Sequence, residues 1–122
     1  MLATGSDGLN RVVPLAIGLY SSESKETWSA FLHKLKEAIP QVADVGMILM
    51  HDRDKGLQPA QQDVLPGTHE SACARHLENN VVDRFKSRFG GSVIKAAKTT
   101  EISAFDKTMD CIRKEKEEAY LY

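Results

Sequence analysis

Three groups of side chains have the types and spacing for chemistry. In His51-Asp52-Arg53-Asp54-Lys55-Gly56, two carboxylates follow directly on the apolar run Val45-Gly46-Met47-Ile48-Leu49-Met50. Carboxylates at the carboxyl end of a strand are placed to hold Mg2+ or Mn2+, which take oxygen ligands and keep several waters. The same residues also read as a charged turn and a helix N-cap. A second group, His69, Cys73 and His76, offers Zn2+-ligating atoms. On a helix Cys73 and His76 lie about one turn apart on one face, and His69 reaches them from the preceding loop. A structural zinc site takes four protein ligands and no fourth is evident, so the alternative is a small buried Cys73 with His76 packed or capping beside it. The third group is a basic stretch, Arg84, Lys86, Arg88, Lys95 and Lys98, free of acidic residues after Asp83. It suits phosphate neutralisation or a solvated helix face. Neither a Gly-x-Ser-x-Gly elbow nor a glycine-rich phosphate loop occurs, which removes the best-marked hydrolase and nucleotide-binding options.

Positioning such groups needs a frame, and 122 residues with 42% hydrophobic content suffice for one soluble globular domain. With 16 basic against 17 acidic residues, no global field draws the chain to nucleic acid or to an anionic membrane, so such contacts must be local. The longest mostly apolar stretch, Val12 to Tyr20, is well short of the roughly 20 residues of a membrane-spanning helix. The N-terminus lacks the basic start and apolar core of a secretory signal, so an intracellular, reducing compartment is expected. Two cysteines, Cys73 and Cys111, are too few for a disulfide framework.

Leu2 to Thr4 and Arg11 to Tyr20 flank Gly5-Ser6-Asp7-Gly8-Leu9-Asn10, a cluster that reads as a hairpin turn. The second arm is apolar on both alternating faces, which predicts a strand covered on both sides, with one edge unpaired near Pro14. Trp28, Phe31, Leu32, Leu35, Ala38 and Ile39 recur at helical spacing between Ser24 and Ile39, with Ser22 or Ser24 as N-cap and Pro40 as the stop. Val45 to Met50 reads as a central strand. Leu57 to Leu65 reads as a short helix closed by Pro66-Gly67-Thr68. Cys73, Leu77, Val81 and Phe85 predict a helix from Ala72 to Phe89, ended by Gly90-Gly91. A last helix follows Thr99-Thr100, with Ile102, Phe105, Met109 and Ile112 inward and the charges from Arg113 to Glu118 outward. No repeat or low-complexity linker marks a domain boundary.

Taken in order, these words resemble the transposase domain of the Mutator-like elements, a family with a ribonuclease H-like fold and an Asp-Asp-Glu catalytic set. Leu2-Ala3-Thr4-Gly5 with Asp7-Gly8-Leu9-Asn10 is similar to the family's first hairpin, and Val13-Pro14-Leu15-Ala16-Ile17-Gly18 to its second strand. Ser22-Glu23 with Trp28 and Phe31-Leu32 is similar to its helix start. His51-Asp52-Arg53-Asp54-Lys55-Gly56 resembles its Ser-Asp-Arg-x-Lys-Gly word. His69 and Cys73-Ala74-Arg75-His76-Leu77 resemble its His and Cys-x-x-His-Leu words. The resemblance runs from Leu2 to about Asn80 and more weakly through the C-terminal helices.

It implies that Asp52 is the family's second catalytic aspartate and that Cys73 and His76 are its Cys-x-x-His pair. In-line attack on a phosphodiester uses two divalent ions about 3.5 to 4 Å apart, clamped by convergent carboxylates. The family's first aspartate lies on a strand upstream of the hairpin, where this chain does not reach. Asp7 sits in the turn, and no glutamate lies in a matching motif. His51 stands where the family usually has Ser. The resulting expectation is a partial ribonuclease H-like α/β domain spanning residues 1–122. Its short mixed sheet, hairpin plus central strand, and first helices lie within 1–65, and a helical half with Cys-x-x-His occupies 66–122. The implied function is metal-dependent cleavage and strand transfer at transposon-end DNA in the nucleus, with the chain inactive alone and open to self-association. The alternative is a non-catalytic DNA- or protein-binding remnant.

Overall fold

Ser24 starts the best-defined helix. Its hydroxyl accepts the Thr27 N–H (3.3 Å), and the Thr27 hydroxyl accepts the Ser24 N–H (2.9 Å), a reciprocal cap that satisfies two otherwise orphaned donors. Helix α1 (Lys25–Ala38) follows, and Pro40 opens a single 3-10 turn over Pro40–Ala43. The structure, a computed structural model, describes residues 1–87 and 89–122. The chain packs as two units, Met1–Ser71 and Ala72–Tyr122.

In the first unit, strands β1 (Leu2–Ser6) and β2 (Val12–Ile17) form the expected antiparallel hairpin, with Leu2 opposite Ile17 and Ser6 opposite Val12. Ala3 pairs with Ala16 and Thr4 with Pro14, so Leu15 is an extra residue that bulges β2 next to the proline. At the turn, Asp7 Oδ1 accepts the N–H groups of Leu9 (2.8 Å) and Arg11 (2.9 Å), while Asn10 takes a left-handed backbone (φ 57°). Gly18 lets the hairpin meet α1: a Cβ there would lie 2.9 Å from the Phe31 ring. Helix α2 (Leu57–Val64) packs on α1, joined by Lys25 to Asp63 (2.7 Å) and by Lys36, which donates to the Val64 carbonyl (3.1 Å). Phe31, Leu32, Leu35, Val42, Leu57, Ala60, Val64 and Leu65 form the buried core of this unit.

Two expectations about the sheet are corrected. Strand β2 is not covered on both sides: Val12 and Ile17 are about three-quarters exposed, and Ala16 is its one residue packed against the buried core among the described residues. The apolar run after the 3-10 turn is not a central strand of the hairpin's sheet. Only Ile48–His51 is extended (β3), Met50 is 65% exposed, and β3 pairs with a short strand β4 (His69–Ala72) in a second two-stranded sheet. The His69 N–H donates to the Met47 carbonyl (2.7 Å) where β4 begins.

In the second unit, helix α3 runs only from Ala74 to Phe85, against the expected Ala72 to Phe89. Lys86 closes it in a left-handed conformation (φ 54°), and the Ser87 hydroxyl accepts the Phe89 N–H, a local bond that competes with helical pairing. A 3-10 turn (Phe89–Gly91) leads to α4 (Ser92–Lys98), then α5 (Ile102–Glu115) and α6 (Glu117–Tyr120). Val81, Phe89, Ile112 and Ala119 form the core of this unit. Ile102 and Phe105 do not face inward as expected. Thr108 is buried instead, its hydroxyl satisfied by the Ala104 carbonyl (2.8 Å), while residues 102–107 of α5 are exposed. The fold is therefore mixed α/β, with two short sheets and six α-helices among the described residues. None of those helices is long and apolar enough to cross a membrane.

Candidate functional site

The loop between β3 and α2 holds the residues of most chemical interest. Asp54 is engaged by the fold through one oxygen: its Oδ1 accepts the N–H groups of Gly56 (2.8 Å) and Leu57 (3.1 Å), so it caps α2 from two residues before the helix N-cap, Gly56. The same oxygen accepts the Trp28 indole N–H (3.1 Å), which ties the loop to α1. Gly56 passes so close to the start of α1 that a Cβ on it would lie 2.7 Å from the Ser24 carbonyl carbon and 2.8 Å from the Lys25 nitrogen. Its place in the Lys-Gly pair is a matter of space rather than of backbone angle, since its φ is -83°.

Asp52 differs from Asp54 in every respect. It is exposed, and no side-chain hydrogen bond or ion pair engages it among the described residues. Its neighbours are held tightly. His51 is 8% exposed, and its Nδ1 accepts the Arg53 N–H (3.0 Å) across Asp52. Arg53 takes a left-handed conformation (φ 68°), costly for a side chain of its size and sustained by the bonds on either side. The buried His51 Nε2 lies 3.3 Å from Glu70 Oε1 on β4, within ionic contact distance but at an angle that makes no hydrogen bond. Asp52 is absent from the lining of the cavity of about 190 Å³ formed by Gln61, Gln62, Leu65, Pro66, Thr68 and Glu70.

Asp52 thus offers a free, hard oxygen donor of the kind Mg2+ or Mn2+ takes, as one ligand of a site. Among the described residues no group of three or more His, Cys, Asp or Glu is placed to hold a metal ion. The second candidate set is arranged differently from its expectation. His69 lies on β4, not in a loop, and its side chain is exposed. Cys73 is the half-buried N-cap of α3 and stands outside the helix, while His76 is exposed on the helix's first turn. Cys73 and His76 thus occupy the N-cap and N3 positions of α3, the same relation as Ser24 and Thr27 in α1, and the pair falls short of the four ligands of a structural zinc site.

The basic residues are spread over separate pieces of the second unit. Arg84 is on the last turn of α3, with its guanidinium 5.1 Å from the Tyr122 ring centre and 5.6 Å from that of Phe85. Lys86 caps α3, Lys95 and Lys98 are exposed on α4, and Arg88 lies outside the described residues. Lys116, expected among the outward charges from Arg113 to Glu118, is half-buried and stands 5.4 Å from the Phe85 ring centre, so cations and aromatic rings gather where α3 ends. Only the separation of 31 residues between Phe85 and Lys116 hid this.

Comparison with known proteins adds one positive finding. No curated protein and no solved structure matches the chain. The family model described as the MULE transposase domain matches residues 1–80, a span that holds the hairpin, α1, the Asp52 loop and the Cys73–His76 pair. With a match over more than half of its 122 residues, the chain belongs to the MULE transposase domain family.

Proposed function

We infer that the chain carries part of a DNA-directed, metal-dependent phosphodiester site of the transposase type, on a partial ribonuclease H-like α/β domain. The observation that carries this reading is the contrast between the two aspartates. Within the matched residues, Asp54 is tied through its Oδ1 to α2 and Trp28, whereas Asp52 is exposed at the end of β3 with no side-chain hydrogen bond or ion pair among the described residues. Bound at such a carboxylate, Mg2+ or Mn2+ supplies charge stabilisation at a phosphodiester and lowers the pKa of an attacking water. The chain's own contribution is one hard ligand on a firmly anchored loop. A clamp on two ions needs several convergent carboxylates, and Asp52 is the single one in a matching position, so the chain alone does not cleave DNA. Zn2+ at Cys73 and His76 needs further ligands beyond this pair. A nuclear location accompanies a DNA-directed role.

Supercoiled plasmid incubated with the full chain and Mg2+ or Mn2+ tests this. The expected outcome is no nicking. Nicking that disappears in Asp52→Asn overturns the inactivity and makes the chain an enzyme in its own right.

A second reading, a non-catalytic DNA-binding module, is favoured by the charge distribution. Residues 72–122 hold ten basic against eight acidic side chains, while residues 1–71 hold six against nine. If the second unit binds duplex DNA, affinity falls steeply with salt and drops further when Lys95 and Lys98 become Glu.

A further inference from the structure

The backbone on both sides of Asp52 is held by side chains, although no side-chain hydrogen bond or ion pair engages the Asp52 carboxylate among the described residues. After it, Asp54 anchors the loop through three accepted hydrogen bonds. Before it, the buried His51 ring reaches two residues forward to the Arg53 N–H. This is the closure that a Ser, Thr, Asn or Asp side chain makes over its own turn, made by a ring nitrogen instead of an oxygen. It accounts for a His where the family word has Ser: both side chains offer an acceptor to the N–H two positions on.

The bond to Arg53 occupies Nδ1 and leaves Nε2 as the ring's second polar atom. That atom lies 3.3 Å from Glu70 Oε1 at an angle that makes no hydrogen bond, and the other Glu70 oxygen accepts from the Gln58 amide (2.9 Å) on α2. Gln58 holds Glu70, Glu70 backs the His51 ring, and the ring holds Arg53 in its left-handed conformation.

We propose that His51 is the positioning residue for the Asp52 carboxylate, with Glu70 behind it. His51 fixes the turn that presents Asp52 outward, and touches no metal or DNA itself. The proposal rests on the reading of Asp52 as a metal ligand. Partners one step removed from a ligand commonly change metal affinity when lost, and here the step runs through the backbone.

The test uses the full chain labelled with 15N, Mn2+ alone as the probe, and two readouts: paramagnetic broadening of the Asp52 and Arg53 amides, and hydrogen exchange of the Arg53 amide. His51→Leu fills the space without an acceptor, and His51→Ser restores one. The expected result is that His51→Leu needs about ten-fold more Mn2+ for equal broadening and loses Arg53 protection. His51→Ser stays within about two-fold of the unaltered chain on both readouts, although it removes more of the buried side chain, a pattern that loss of packing does not produce. Should His51→Leu not fold, Glu70→Gln takes its place, with a loss of two-fold or more expected and unaltered broadening overturning the proposal. Broadening in His51→Leu at the unaltered chain's Mn2+ concentrations, or His51→Ser behaving as His51→Leu, overturns it while leaving Asp52 a ligand. Absence of broadening at Asp52 in the unaltered chain overturns the ligand reading itself, and the proposal with it.

Discussion

Asp52 and Asp54 carry the same carboxylate two positions apart, and their surroundings separate them. In the sequence both belong to one charged turn, where the resemblance alone singles out Asp52. What distinguishes them is a tryptophan 26 residues upstream of Asp54 and two backbone N–H groups just after it, none of which local spacing reveals. Gly56 is a similar case, legible as part of a word but not as a contact with Ser24 and Lys25. Gly56→Ala therefore presses a methyl group into the backbone at the start of α1. A loss of about 1–3 kcal/mol in urea unfolding is expected, with the far-ultraviolet spectrum retained. At the hairpin turn, the Arg11 N–H, the Arg11 guanidinium and the Leu9 N–H hold the Asp7 carboxyl below its ordinary value. A depressed carboxyl pKa contributes stability that is complete above the unfolded value of about 3.9 and lost as pH falls through the folded value. The Leu9 and Arg11 amide signals are expected to stay fixed from neutral pH to about 5 and to lose protection only below about 4, and Asp7→Asn abolishes that dependence.

Elements were legible where a local device specifies them. Helix α1 carries its own cap in Ser24 and Thr27, its apolar spacing and its proline stop, and the structure has it within one or two residues of its reading. Strand β4 was not legible: His69-Glu70-Ser71-Ala72 has no apolar alternation, and it is extended because β3 offers it backbone partners. The end of α3 was misplaced because Gly90-Gly91 looked like the stop, whereas Lys86 and Ser87 end the helix one turn earlier. Lys86 occupies a position that glycine fills without steric cost. Lys86→Gly is accordingly expected to raise the stability of the second unit by about 1 kcal/mol, read as a higher midpoint in denaturant at unchanged slope.

At the scale of the molecule, the hairpin leaves the most apolar surface uncovered. Val12 and Ile17 are largely exposed, Leu19 is 95% exposed, and the second edge of β2 has no partner strand among the described residues. Open edges with apolar side chains pair with other chains. Scattered-light mass is expected to rise with protein concentration, and Val12→Lys with Ile17→Lys to suppress the rise. A constant monomer mass across the series rejects this. Length and composition predicted enough apolar content for a core, and two cores are present, one in each unit. The division expected between residues 65 and 66, at Pro66-Gly67-Thr68, lies six residues before the break after Ser71, where neither glycine nor proline stands. Trp28 is the chain's single tryptophan, and its half-buried indole is bonded to Asp54. The protein thus carries its own optical gauge: a loop that releases Asp54 lets water reach the indole, and the emission moves to the red without any added label.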